Sequence, residues 1–157
     1  MYLRAMDRLF KYMAFFVLAA GVFISCKKHD NSTQNAPPTV ATSFVVDDTA
    51  VANPSHTTFT SSGNYGIIIY GPSGTPEVQI VFYGSQAPTS GTYLITSSPP
   101  NLGTCNFTFS NSQGNSPATN GSVNITWNGS PKNVASFSNI QVGGSGGHHK
   151  VTATFTY

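Results

Sequence analysis

The sequence predicts an all-β protein, on three observations. Short segments of alternating apolar and polar residues follow one another from Val40 to the end of the chain, and Gly, Pro and Asn turn signals separate them. Charged residues make up only 8% of the chain, whereas Ser, Thr, Asn and Gly are abundant. Exposed strand faces readily carry Thr and Ser, while helical surfaces usually carry Glu, Lys and Arg. We therefore expect one antiparallel β-sandwich of about 8–9 strands, with an up-and-down β-barrel as the alternative.

The candidate strands follow in chain order. Each is a short run with apolar residues at alternate positions, bounded by turn residues. Gly71-Pro72-Ser73-Gly74 predicts a tight hairpin turn, because Pro pre-sets φ for a turn position. The predicted segments are 40–46, a weak segment around Phe59, 65–70, 78–83, 92–96, 104–110, 123–127, 134–142 and 150–157.

The last two segments carry the sharpest signals. In 150–157, Val151, Ala153, Phe155 and Tyr157 alternate with threonines, so one face enters a core and the other meets water. In 134–142 the apolar residues change parity part of the way along the strand. A β-bulge near residues 138–139 would restore their inward direction.

The N-terminal segment predicts export. The uncharged run from Met13 to Ile24 follows the basic residues Arg4, Arg8 and Lys11. As a helix, this run would be about 18 Å long, too short for a hydrocarbon core of about 30 Å. Residues 1–25 therefore predict a signal peptide and not a membrane span.

The residues that end this run resemble the lipobox of bacterial lipoproteins. In Phe23-Ile24-Ser25-Cys26, an aliphatic and then a small residue precede a cysteine. The resemblance implies that the Cys26 thiol receives diacylglycerol, that Cys26 becomes the new N-terminus, and that it is then acylated with a fatty acid such as palmitate. The polar residues that follow end in Pro37-Pro38 and predict a flexible tether. The domain prediction is a signal peptide at 1–25, the lipidated cysteine and tether at 26–39, and the β-domain at 40–157.

The charge of the chain argues against a nucleic-acid partner, and its two cysteines argue against a disulfide within the chain. Without the signal peptide the formal charge is zero, with four lysines balancing three aspartates and one glutamate. Nucleic-acid binding needs clustered Lys and Arg, so we expect no nucleic-acid partner. If Cys26 is lipidated, Cys105 has no partner within the chain, and we expect it to be a buried, neutral thiol.

The layout is similar to that of small, mostly uncharacterised β-rich lipoproteins of Bacteroidota. The shared features are the Cys26-Lys27-Lys28 start, a Gly-Thr-Tyr strand opening at 91–93, and a Gly-x-Val-x-Ile-Thr strand at 121–126. A Ser-Phe-Ser segment at 136–138 and a final alternating strand complete the pattern. The resemblance implies an envelope lipoprotein and brings no known catalytic activity.

Residues that could carry chemistry are sparse. His148 and His149 point to opposite faces if they lie on a strand, so a strand cannot present both to one metal. Asp47 and Asp48 are the only acidic pair, and neighbours in sequence suit a turn better than paired-carboxylate catalysis. The glycine-rich run 143–147 predicts a flexible connector between strands. We expect no catalytic residue, no metal site, no cofactor and no enzyme activity.

Three residues are candidates for modification or binding. Asp48-Thr49-Ala50 resembles the Asp-Thr/Ser-small motif that Bacteroidota O-glycosylate in exported proteins, which makes Thr49 the candidate acceptor. Tyr70 and Tyr83 belong to a hairpin that is apolar on both faces. They are either covered by the fold or exposed as a patch that stacks on sugar rings or on another protein.

These observations together predict an outer-membrane lipoprotein with a non-catalytic binding or structural domain. Its partners would be the membrane, through the lipid anchor, and a glycan or an envelope protein. Lys27, not Asp, follows the cysteine, so the inner-membrane retention signal of enteric bacteria is absent; the periplasmic and surface faces both stay open. The alternatives are a carbohydrate-binding accessory protein of a polysaccharide-uptake system, and a hydrolase or inhibitor. The last would have a cleft with clustered polar groups or a rigid protruding loop such as 111–120.

Overall fold

The computed structural model describes residues 40–127 and 133–157. The signal peptide, Cys26 and the tether, all predicted from the sequence, lie outside these residues. Eleven strands and no helix occur in the described part of the chain, which confirms the all-β class. The strands are β1 Ser43–Val46, β2 Thr49–Ala50, β3 Ser55–Ser61, β4 Asn64–Tyr70, β5 Glu77–Phe82, β6 Gly91–Ile95, β7 Thr104–Asn111, β8 Gly114–Pro117, β9 Ser122–Trp127, β10 Asn133–Gly144 and β11 Gly147–Thr156.

The strands form one curled sheet, a half-barrel, in the order β2-β1-β11-β10-β9-β6-β7-β5-β4-β3. This arrangement shares the curvature of the predicted barrel and encloses a core as the predicted sandwich would, but hydrogen bonds run through a single sheet. All neighbours are antiparallel except β6 and β7, which pair in parallel over two residues. β8 lies off this path and pairs with the second half of β7. β7 therefore has β5 along one edge and β6 followed by β8 along the other.

The core lies on the inner face of this sheet. Alternate residues of the long strands are buried there, as the period-two patterns predict. The curl brings the His56 ring of β3 against the Phe155 ring of β11, with ring centroids 5.6 Å apart. The largest fully buried side chains are Phe44, Phe82, Phe107, Phe109, Phe155, Ile67, Ile69, Ile80, Val78, Val123, Val151 and Cys105.

The predicted bulge is confirmed. The register between β10 and β11 shifts between Phe137 and Ile140, and Asn139 takes a positive φ of 54°. The Asn139 N–H leaves the ladder and donates to Thr152 Oγ1 over 2.9 Å. Because of this extra residue, Phe137 and Ile140 both point inward and are buried.

Two turns explain residues that the sequence singled out. Asp47 and Asp48 have φ of 49° and 63° and join β1 to β2, so they form the two-residue hairpin turn in which both residues adopt positive φ. The predicted turn role of this acidic pair is confirmed. The glycine run 143–147 forms the end of β10, the β10–β11 turn and the start of β11, and its backbone packs closely against β8.

The structure also contains strands that the sequence did not predict. β2 and β8 are short and carry few apolar residues, and β3 is longer than the weak segment around Phe59. Residues 111–120 do not form a protruding loop. They contain the end of β7, a tight turn and β8, and they pack against the β10–β11 turn.

Candidate functional site

Two regions at opposite ends of β7 hold the described side chains that could carry function. At the Asn111 end lies a charged cluster, which we define as Asp47, Asp48, His149 and Lys150. At the Thr104 end lies an open groove of about 610 Å³, which we define by residues 83–89, 91–93 and 101–103. Eight residues of extended strand separate the two regions by roughly 23 Å.

The charged cluster is built on the β1–β2 turn. Asp47 Oδ2 lies 2.7 Å from His149 Nδ1, and Asp47 Oδ1 accepts a hydrogen bond from the Lys150 N–H over 2.9 Å. The Lys150 Nζ lies 2.7 Å from the Asp48 carboxylate. Antiparallel pairing of β1 with β11 brings these groups together across 102 residues of sequence. No acidic residue lies near His149 in the sequence, and it is the fold that brings the Asp47 carboxylate to its ring.

The second ring nitrogen of His149 faces the backbone. Its Nε2 lies 2.8 Å from the Gly146 carbonyl oxygen, which also accepts a hydrogen bond from Asn111 Nδ2. The ring packs against Phe109, with centroids 4.9 Å apart. The cluster therefore joins the β1–β2 turn and the β7–β8 and β10–β11 hairpins.

These contacts shift two pKa values in opposite directions. The hydrogen bond to Asp47 raises the pKa of His149, helped by Gly146 and opposed by burial. The hydrogen bonds from His149 and from the Lys150 backbone lower the pKa of Asp47. Nδ1 of His149 therefore lies against a carboxylate oxygen, whereas Nε2 contacts both the Gly146 carbonyl oxygen and, over 3.1 Å, the Asn111 amide nitrogen.

The groove is bounded by two connections, one between β5 and β6 and the other between β6 and β7. The Tyr93 hydroxyl donates to the Thr89 carbonyl over 2.9 Å, and the Tyr93 ring packs edge-on against Phe82 with centroids 5.0 Å apart. Asn106 Nδ2 donates to the Thr96 carbonyl over 2.6 Å. These bonds hold both connections in place, so the groove is pre-formed by side chains that reach back to the backbone.

The exposed apolar side chains gather at this end of the molecule. In the described residues, the exposed large hydrophobic side chains are Tyr83, Leu94 and Leu102, at 59%, 60% and 87% exposure. Tyr83 and Leu102 line the groove. Leu94 lies on β6, and its N–H donates to the carbonyl of Gly103, next to Leu102. Tyr83 and Leu102 thus share one cavity, and large exposed apolar groups that occur together in this way mark binding surfaces more often than scattered ones do.

The structure separates the two tyrosines that the sequence grouped. Tyr70 is half-buried opposite Glu77, next to the hairpin turn, whereas Tyr83 follows Phe82 at the open end of the same hairpin. Six residues along the strand place them about 20 Å apart, so they do not form one patch. Tyr93 and Leu102 were not predicted as site residues. The one signal in the sequence was an apolar leucine inside the Asn101-Leu102-Gly103 turn.

The remaining candidates are placed as follows. Thr49 is exposed on the two-residue strand β2 at the end of the sheet order, and its glycosylation stays a prediction. Cys105 is fully buried as expected, and burial raises the pKa of its thiol to about 12. Over residues 40–127 and 133–157, no three His, Cys, Asp or Glu side chains come together as a metal site would require. No helix in the same ranges is long and apolar enough to span a membrane.

The fold and the groove define a small all-β protein with a curled sheet and an uncharged surface cavity at one end. Comparison with known protein families, with curated proteins and with solved structures gave no match for this chain.

Proposed function

We propose that this chain is a lipid-anchored protein of the bacterial outer membrane, and that its β-domain binds or supports other envelope components without catalysis. The observation that carries the proposal is Cys26, at the end of the uncharged run and inside a lipobox-like sequence. The first strand begins at Ser43, which leaves a polar segment between the anchor and the domain. Several acyl chains on one cysteine hold a protein on a membrane effectively permanently, whereas a single chain binds reversibly.

The charged cluster fits a structural role better than a catalytic one. One ring nitrogen of His149 contacts the Asp47 carboxylate, and the other contacts the Gly146 carbonyl oxygen. Ser116 is buried, and its hydroxyl donates to the Gly147 carbonyl over 2.9 Å. Neither side chain is arranged as a nucleophile with its base. The cluster thus supports assigning a binding or structural role to the domain.

Acylation is tested by expressing the chain in a bacterial host with an alkyne-labelled palmitate. We expect the wild-type chain to be labelled and to sediment with membranes, and the Cys26→Ala chain to lose both properties. Cys105→Ala is the matched control, since it removes the other cysteine and leaves the lipobox-like sequence intact. A Cys26→Ala chain that stays equally membrane-bound would contradict the proposal.

A second candidate is a carbohydrate-binding accessory protein, which the groove favours. Tyr83 presents an exposed aromatic ring beside a mainly apolar cavity whose lining also includes amide and hydroxyl side chains. Aromatic rings have both an apolar face and, in tyrosine, a polar end, which suits ligands that are themselves amphipathic. The other candidate partner, an envelope protein, would use the same exposed apolar groups.

A further inference from the structure

We infer that the groove binds an uncharged saccharide, with Tyr83 and Leu102 contacting the apolar face of a sugar ring and Gln86 and Asn101 bonding its hydroxyls. This inference rests on the second candidate function, carbohydrate binding, and specifies the class of ligand and the residues that contact it. The supporting observations are the size of the groove, its chemistry and its pre-formed walls.

The size of the groove suits a small ligand. Its volume of about 610 Å³ lies inside the 300–1,000 Å³ typical of ligand sites. Gly84 and Gly103 take positive φ of 88° and 79°, and a Cβ atom at either position would meet nothing within 4 Å. The backbone at both walls is therefore open to close approach by a ligand.

The chemistry of the groove selects an uncharged ligand. None of its lining residues is Asp, Glu, Lys, Arg or His. A phosphate, carboxylate or ammonium group would lose its hydration there without gaining a counter-charge. The polar groups that line the groove are hydroxyls and amides, from Ser85, Gln86, Thr89, Thr92 and Asn101. Such groups both donate and accept hydrogen bonds, as sugar hydroxyls do.

Besides polar groups for the sugar hydroxyls, a saccharide site needs apolar side chains that contact the C–H face of the ring. Tyr83 and Leu102 are large, exposed and on the rim of the same cavity. A pyranose ring has an apolar C–H face and a polar rim, so it can use the aromatic face and the amides together. A purely apolar ligand would make no use of the Gln86 amide or of the Asn101 amide nitrogen, whose neighbouring oxygen already accepts a hydrogen bond from Thr104 Oγ1.

The test uses the full chain carrying Cys26→Ala, so that binding is measured without the lipid anchor. Binding to immobilised cellohexaose, maltohexaose, xylohexaose and laminarihexaose is compared with binding to polygalacturonate and heparin. We expect a neutral oligosaccharide to bind and both charged polymers to fail. Tyr83→Ala and Leu102→Ala should each weaken binding roughly tenfold, because truncating an apolar anchor removes a dominant contact.

Matched controls separate the groove from the rest of the surface. Tyr70→Ala removes a tyrosine from the other end of the hairpin, and Leu94→Ala removes a similarly exposed leucine that does not line the groove. Both should bind within about twofold of the parent, while Tyr83→Phe keeps the ring and most of the affinity. Circular dichroism and urea unfolding confirm that each variant is folded.

Three outcomes would overturn the inference. They are no binding to any neutral oligosaccharide, a preference for the charged polymers, or neutral binding that survives Tyr83→Ala and Leu102→Ala. Capture of an envelope protein that depends on Tyr83, without glycan binding, would assign the groove to a protein interface instead. Because acylation of Cys26 is measured separately, failure here leaves the lipid-anchor proposal standing.

Discussion

The two ends of β7 differ in charge: one end has paired charged side chains, and the other has an uncharged groove. Three of the four Asp, Glu, Lys or Arg residues in the described part of the chain lie in the charged cluster at the Asn111 end. The groove at the Thr104 end has no charged lining residue and has exposed apolar groups. At the cluster, polar groups pair with one another and join three hairpins, whereas Tyr83 and Leu102 at the groove face solvent. The paired charges therefore hold the fold together at one end, and the exposed apolar groups lie at the other end, where we propose that a saccharide binds.

Removing the buried ring beneath the charged cluster should destabilise the protein more than any change at the groove. Phe109 is 1% exposed, and its ring packs against His149. We expect Phe109→Ala to lower the free energy of unfolding by about 3–5 kcal/mol, since it deletes a buried aromatic ring and leaves a cavity. Urea unfolding followed by circular dichroism measures this change. Leu102→Ala is the control at the groove and should change stability by less than about 0.5 kcal/mol. Equal losses in both variants would remove the distinction between the two ends.

Substituting a glycine at each end of β7 should destabilise the protein for a different reason: close packing at Gly146 and backbone strain at Gly84. A Cβ on Gly146 would lie 2.6 Å from the Gly114 carbonyl oxygen, so Gly146→Ala should cost about 1–3 kcal/mol through overpacking. Gly84 has open space around it but a φ of 88°, so Gly84→Ala should cost about 1–2 kcal/mol through backbone strain alone.

Asparagine distinguishes the two causes. It tolerates positive φ better than alanine but is larger. Gly84→Asn should therefore be more stable than Gly84→Ala, and Gly146→Asn should be less stable than Gly146→Ala. The reverse order at either site in urea unfolding would show that close packing and strain are wrongly assigned.

Local patterns predicted the strands well. In β11, apolar and polar residues alternate one by one, and this pattern alone predicted the strand. In β10, the change of parity among the apolar residues was enough to locate the bulge at residues 138–139. β8 escaped prediction because Gly114–Pro117 contains no apolar alternation. What places it is backbone packing: Ser116 is buried against Gly147, and the glycine turn allows the close approach.

The candidate sites were less predictable because they depend on long-range register. Asp47 meets His149 only because β1 pairs with β11, and nothing near either residue in sequence indicates this contact. The groove is formed by two connections without periodicity. They meet because the end of β5 and the end of β6 both pair with the start of β7. Tyr83 could be chosen from its residue type, but its separation from Tyr70 required the hairpin register.

The Asp47–His149 pair should make the stability of the protein depend on pH. His149 has a raised pKa, so its contribution to stability is present below its ordinary value of 6.5 and is lost as pH rises through the folded-state value. Asp47 has a lowered pKa, so its contribution is present above 3.8 and is lost as pH falls through the folded-state value. The pair therefore stabilises the protein most between pH 3.8 and 6.5.

This dependence should be modest, because the Asp47 side chain is 53% exposed and solvent screens the pair. We expect the wild-type protein to be more stable at pH 5.5 than at pH 8.5 by at most about 1 kcal/mol. Urea unfolding of Asp47→Asn and His149→Gln at the same two pH values should show this difference reduced or absent. Retention of the full difference in both variants would contradict its assignment to the Asp47–His149 pair.

The smallest expected effect is on stability at the groove. Tyr83 is 59% exposed and follows the end of β5, so Tyr83→Ala should change the free energy of unfolding by less than about 0.5 kcal/mol. Tyr70 is half-buried between Ser55 and Glu77 of the neighbouring strands, and Tyr70→Ala should cost about 1 kcal/mol. Thermal and urea unfolding of the two variants measure this contrast. A large exposed tyrosine that adds nothing to stability has its apolar surface available for a ligand. If Tyr83→Ala proves as destabilising as Tyr70→Ala, the ring belongs to the packing of the fold, and the groove loses its main contact for a sugar.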